Sequence, residues 1–136
     1  GPVACTFRAE PCIGGYRGAM TALVCLASCP DIAIATAIAE TLVEERLAAC
    51  INIVPGARSI YRWNGRVHTG DEVVLIIKTT DARLAGLTRR LQALHPFDVP
   101  ELVTLPVAGG LPAYLAWVDA ATADDAAEDA PPASAE

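Results

Sequence analysis

The chain has 136 residues, 53% hydrophobic and 19% charged, which is enough for one domain with its own core and no need of disulfide or metal support. No stretch approaches the roughly 18 uncharged apolar residues of a membrane helix, so a membrane partner is not expected and the apolar surplus has to be buried in protein. The net charge of −6 resides in the last residues: Asp124, Asp125, Glu128, Asp129 and Glu136 stand there without a base, leaving 11 acids against 10 bases, and this balance argues against a nucleic-acid partner.

Residues 1–20 are rich in Gly and Pro, show no periodicity and contain no apolar leader core. They read as a tag remnant or a flexible extension before Met20. The five cysteines, an odd number without a secretory leader, fit a reducing compartment and a cytoplasmic location.

Residues 21–28 are continuously apolar and predict a central strand closed by Pro30. Asp31 favours a helix start, and Ile34, Ile38 and Leu42 carry an apolar stripe through a helix reaching about Ala49. A second strand opens at Ile51, bends or bulges at Pro55-Gly56 and resumes through Ser59–Trp63. Asn64-Gly65 predicts a type I′ hairpin turn. The return strand has a second expected irregularity at Thr69-Gly70, then runs from Glu72 to Thr79. A second helix follows with Thr80 as N-cap, Asp81 in its first turn, and Leu84, Leu87, Leu91 and Leu94 on its buried stripe; His95-Pro96 ends it. Residues 101–107 form the fourth strand, placed at an edge by Pro106. Pro112 opens a short helix to about Ala120. This order, β-α-β-β-α-β, is that of an α+β ferredoxin-like domain over residues 21–120, and residues 121–136 read as a disordered acidic tail.

Both helices of such a domain cover one sheet face. The strand runs Leu23–Leu26 and Val73–Ile77 are apolar on both faces, and one short helix cannot cover the second, so a homo-oligomer is expected.

Chemistry-bearing residues are few. Cys25 and Cys50 read as packed thiols, and Cys29, at a strand end, as the more exposed one. His95 starts the run His95-Pro96-Phe97-Asp98-Val99-Pro100-Glu101, which places an imidazole and two carboxylates in one loop. That trio suits either a divalent metal or an internal hydrogen-bond network. Lys78, ending an apolar strand, either pairs with Glu101 or binds an anion beside the second helix. No phosphate loop, hydrolase elbow or catalytic carboxylate pair is present, and no enzyme is expected.

Collinear motifs resemble the CutA divalent-cation tolerance family. They are Cys29-Pro30-Asp31, Glu45–Gly56 with its Leu-Ala-Ala-Cys run, Ser59–Gly65, Glu72 with Lys78-Thr79, His95–Glu101, and Tyr114-Leu115-Ala116-Trp117. The resemblance implies a PII-like homotrimer linked to copper tolerance, with no required cofactor but a possible copper or other divalent cation. In the family's copper pattern a strand cysteine corresponds to Ala27 and a histidine pair to Leu94 and His95. Only His95 carries over, and Cys29, two residues on from Ala27 and on the same strand face, is the substitute ligand. The resemblance also implies intersubunit clefts lined near Lys78, His95 and Glu101. The alternative function is therefore a PII-like signalling or small-molecule-binding trimer using that cleft.

Overall fold

In a computed structural model, which describes residues 21–124, the order of elements is β1 (Ala22–Cys29), α1 (Ile32–Glu44), β2 (Cys50–Trp63), β3 (Arg66–Thr80), a 3-10 turn (Asp81–Arg83), α2 (Leu84–Leu94), β4 (Leu102–Pro106) and α3 (Pro112–Ala121). The four strands form one antiparallel sheet in the order β2-β3-β1-β4, the ferredoxin-like arrangement expected. The apolar β1 lies inside, between β3 and β4. The proline-bearing β4 lies at an edge, where a missing ladder donor costs least.

Alternation divides the sheet into two faces. Cys25, Ala27 and Cys29 of β1 and Val73, Leu75 and Ile77 of β3 meet Ile38 and Leu42 of α1 and Leu87 and Leu91 of α2 in one core cluster. Leu42, Leu75, Ile77 and Leu87 are fully buried, each stabilising by about 1.5–3 kcal/mol. Asp31 caps α1, its carboxylate accepting from the Ile34 N–H at 2.8 Å. The two helices are tied at the surface by Arg90, whose Nε and Nη2 both donate to Glu45 at 2.9 Å.

The hairpin follows its sequence signals. Two residues, Pro55 and Gly56, oppose one residue of β3 where the register shifts between Val54 and Ala57. Asn64 and Gly65 both have positive φ, 52° and 76°, as a type I′ turn requires. The second irregularity, expected at Thr69-Gly70, is absent. Gly70 pairs in register with Ser59 and Thr69 with Ile60, because the bulge on β2 has already set the phase.

Three boundaries also differ. α1 stops at Glu44, five residues before the expected Ala49. Arg46 adopts φ 63°, and the N–H groups of Arg46 and Leu47 turn back onto the carbonyls of Val43 and Leu42. Arg46 Nη1 donates to the Ala121 carbonyl at 3.2 Å, helping to hold a left-handed position where glycine is usual. Thr80 does not cap α2. Its hydroxyl lies 3.4 Å from that of Thr122, and a 3-10 turn intervenes before the helix. α3 reaches Ala121 and Thr122 is buried, so the folded part extends past residue 120. The expectations for residues 1–20 and for the tail beyond Asp124 lie outside the described residues.

The second sheet face carries Val24, Leu26, Val74, Ile76 and Lys78, and α3 packs over part of it through Leu115 and Val118. Ile60, Tyr61, Trp63 and Val67 on the hairpin and Val103 and Leu105 on β4 remain exposed. No helix among the described residues is long and apolar enough to cross a membrane.

Candidate functional site on the open sheet face

At the C-terminal end of β1, Ser28 points to the open face and is only 7% exposed. Two carboxylates reach its hydroxyl. Glu72, on β3 beside the bulge of β2, places Oε2 at 3.5 Å, and Glu101, just before β4, places Oε1 at 3.3 Å. The other Glu72 oxygen accepts from the Ser59 hydroxyl at 2.6 Å. A serine hydroxyl has one proton, so it donates to one carboxylate at a time. The second carboxylate oxygen then faces a lone pair, and a cation between the carboxylates would relieve that repulsion.

His95 braces the same strand end from behind. Its Nε2 lies 2.8 Å from the Ser28 carbonyl, and its Nδ1 accepts from the Phe97 N–H at 3.1 Å. These partners define the tautomer: Nε2 carries the proton and donates, while Nδ1 accepts. The Phe97 ring leans on the imidazole at 5.0 Å between centroids. The imidazole's partners are these two backbone groups, not the Asp98 or Glu101 carboxylates of its loop. Both ring nitrogens are engaged, and ligation of a metal would require one of these bonds to open.

Cys29, read as the more exposed of the packed thiols, is fully buried on the helix-facing side, no less than Cys25. It shares that face with Ala27, as alternation requires. Burial, and then the carboxylates of Asp31 and Glu72, push its thiol up to about 11. A metal would have to displace a tightly held proton from a closed core. Cys25 is buried too, its Sγ 3.4 Å from the Thr104 hydroxyl.

Lys78 and Glu101 share the open face but do not pair. Lys78 lies opposite Val24, four residues along β1 from Ser28, a separation of about 13 Å at the usual strand rise. Lys78 Nζ donates to the Asn52 amide oxygen instead. It also lies on the face away from α2, so the expected anion site beside that helix does not form. Ser28, Ser59 and the placement of Glu72 were missed by sequence reasoning. They meet only because the bulge sets the hairpin's phase, and Glu72 figured merely as one of the matching residues. Among the described residues, no three His, Cys, Asp or Glu side chains converge as a complete metal cluster.

The fold defines a ferredoxin-like domain, and at this polar strand end two carboxylates reach one serine hydroxyl. The family model of the CutA1 divalent ion tolerance protein matches residues 23–121. A divalent-cation tolerance protein CutA of Thermus thermophilus is 52% identical over 95 residues, covering 70% of this chain and 92% of the relative. The crystal structure of CutA from Xylella fastidiosa is similar with a TM-score of 0.74 at 41% identity, over 76% of this chain and 99% of that one. That of CutA1 from Oryza sativa gives 0.75 at 40% identity, over 77% and 96%. The chain belongs to the CutA1 divalent-cation tolerance family.

Proposed function

We propose that the protein acts as a homotrimer in divalent-cation tolerance and binds the cation at Glu72 and Glu101. The observation that carries this reading is the convergence of both carboxylates on the single-proton hydroxyl of Ser28. In it, His95 positions the strand end by holding the Ser28 carbonyl, and water or a second copy completes the coordination shell. The donors are oxygens, which suit calcium, magnesium or manganese. Copper is the cation to which the family resemblance points, with His95 as the ligand it carries over and Cys29 as the substitute for the strand cysteine.

Titration calorimetry on chelator-stripped protein separates the two. Manganese should bind wild type, and Glu72→Gln or Glu101→Gln should weaken binding about tenfold or more. Unchanged binding in both variants would overturn the carboxylate site. Tighter copper binding, lost in His95→Ala and Cys29→Ala but kept in the glutamate variants, would favour the imidazole–thiol site.

The trimer is supported by the exposed apolar hairpin and the half-covered second face, and trimers are typical of this family. Sedimentation equilibrium of wild type should give three chains per particle, and Trp63→Glu should lower that number. Free Cys25, Cys29 and Cys50 support a cytoplasmic location. Fractionation that found the protein outside the cytoplasm would remove that part of the reading.

A further inference from the structure

The hairpin reaches past the body of the sheet. β1 pairs with β3 only as far as Val73, so residues 57–63 and 66–72 form a two-stranded ribbon, and among the described residues no third strand runs beside it. Ile60, Tyr61, Trp63 and Val67 stand exposed on it. Such a ribbon is marginally stable in water at best, so in a lone chain its tip opens far more readily than the core. Association that buries these side chains holds the ribbon closed.

The tip carries Asn64-Gly65, a pair with its own chemistry. The backbone nitrogen of Gly65 is a nucleophile for the side-chain carbon Cγ of Asn64. Glycine has no Cβ to shield that nitrogen, and the space where one would stand is open. Both residues are exposed, and no hydrogen bond among the described residues holds the Asn64 amide. The closed turn nevertheless forbids the attack. Asn64 has φ 52°, and the left-handed region sets its ψ at about +30 to +60°. At that ψ the Gly65 nitrogen lies nearly anti to the Asn64 Cβ, whereas a five-membered ring needs the two nearly eclipsed. The turn has to open before the ring forms. Asn52, the chain's other asparagine, lies inside β2 opposite Ile76 and is followed by the branched Ile53.

We propose that Asn64 is a site of spontaneous deamidation, open in unassembled chains and closed by assembly. The Gly65 nitrogen bonds to Cγ, the Cγ–Nδ2 bond breaks, and ammonia leaves with the proton that the Gly65 amide gives up. Water then opens the succinimide at either carbonyl, leaving aspartate or isoaspartate, each with a new carboxylate. Aspartate rebuilds a type I′ turn. Isoaspartate does not, because its extra main-chain carbon disrupts the two-residue loop that pairs Trp63 with Arg66. Copies that stay unassembled are thus progressively barred from assembling. The protection rests on the homotrimer proposed above, whereas the ring chemistry does not.

The test follows isoaspartate at Asn64 by peptide mass spectrometry in the full chain at mildly alkaline pH, over a series of chain concentrations, with assembly measured on the same samples by sedimentation. Chain unfolded in urea gives the rate of the open turn. The assembled chain should react at Asn64 at least about tenfold more slowly than the unfolded one. Dilution, or Trp63→Glu, should move the rate toward the unfolded value. Asn52 should stay intact in every folded sample. Purified isoaspartate chains should sediment as smaller particles, while Asn64→Asp assembles like wild type. An assembled chain that reacts as fast as the unfolded one, equal protection in unassembled Trp63→Glu, loss of the Asn52 amide as fast as that of Asn64, or normal assembly of isoaspartate chains would each overturn this inference alone. A single small species at every concentration would overturn the homotrimer and, with it, the protection.

Discussion

Replacing His95 with alanine separates a structural brace from a metal ligand. The substitution leaves the Ser28 carbonyl and the Phe97 N–H without their imidazole partners. Each unsatisfied buried group costs about 1–3 kcal/mol, and loss of the ring contact with Phe97 adds about 0.5–1.5 kcal/mol. The total is about 2.5–7.5 kcal/mol, a large part of the roughly 5–15 kcal/mol that stabilises a typical domain. Urea unfolding of chelator-treated protein at one fixed chain concentration measures it, since association also contributes to apparent stability. His95→Gln, whose amide can donate to the Ser28 carbonyl, should recover part of the loss. If metal-free His95→Ala matched wild type within about 0.5 kcal/mol and lost only metal affinity, the brace reasoning would be refuted and His95 would be a ligand.

Alkaline pH should destabilise the protein through Cys29. Its thiol ionises near 9.0 when unfolded and near 11 when folded, so stability is full below 9 and declines as pH rises through 11. The loss is on the order of 2–3 kcal/mol, and Cys29→Ser, followed by urea midpoints from pH 8 to 11, should remove that component of the slope. Gly65→Val places a β-branched residue at φ 76° and should cost about 1–3 kcal/mol in thermal unfolding; an unchanged Tm would contradict the type I′ assignment. Leu75→Ala, at a fully buried site between sheet and helices, should cost about 2–5 kcal/mol by the same assay, and a loss below 1 kcal/mol would mean that the core there is loosely packed.

Much of the fold was legible because its signals are local. Asn64-Gly65 encodes positive φ, Pro55-Gly56 marks the bulge, Asp31 caps α1 and His95-Pro96 stops α2. The end of α1 was not legible, because arginine carries no left-handed signal. Arg46 is held there with help from the Ala121 carbonyl, 75 residues away in sequence. The site was legible only in part. His95 and Glu101 stand in one motif, yet the motif does not say that the imidazole faces a backbone carbonyl. Alternation put Cys29 on the Ala27 face, but only the packing of α1 and α2 reveals that this face is closed. Glu72 and Ser59 come from two strands whose pairing depends on a one-residue bulge, so their meeting with Ser28 is a tertiary fact. Likewise, the supposed Lys78–Glu101 pair failed on register, which single-strand patterns do not contain.

The most direct test of the cation site is anomalous diffraction from crystals of the chelator-stripped protein soaked in manganese. A peak bridging the Glu72 and Glu101 carboxylates beside the Ser28 hydroxyl, with the His95–Ser28 bond intact, is the result expected here. A peak at the His95 ring or the Cys29 sulfur, or none on the open sheet face, would contradict it.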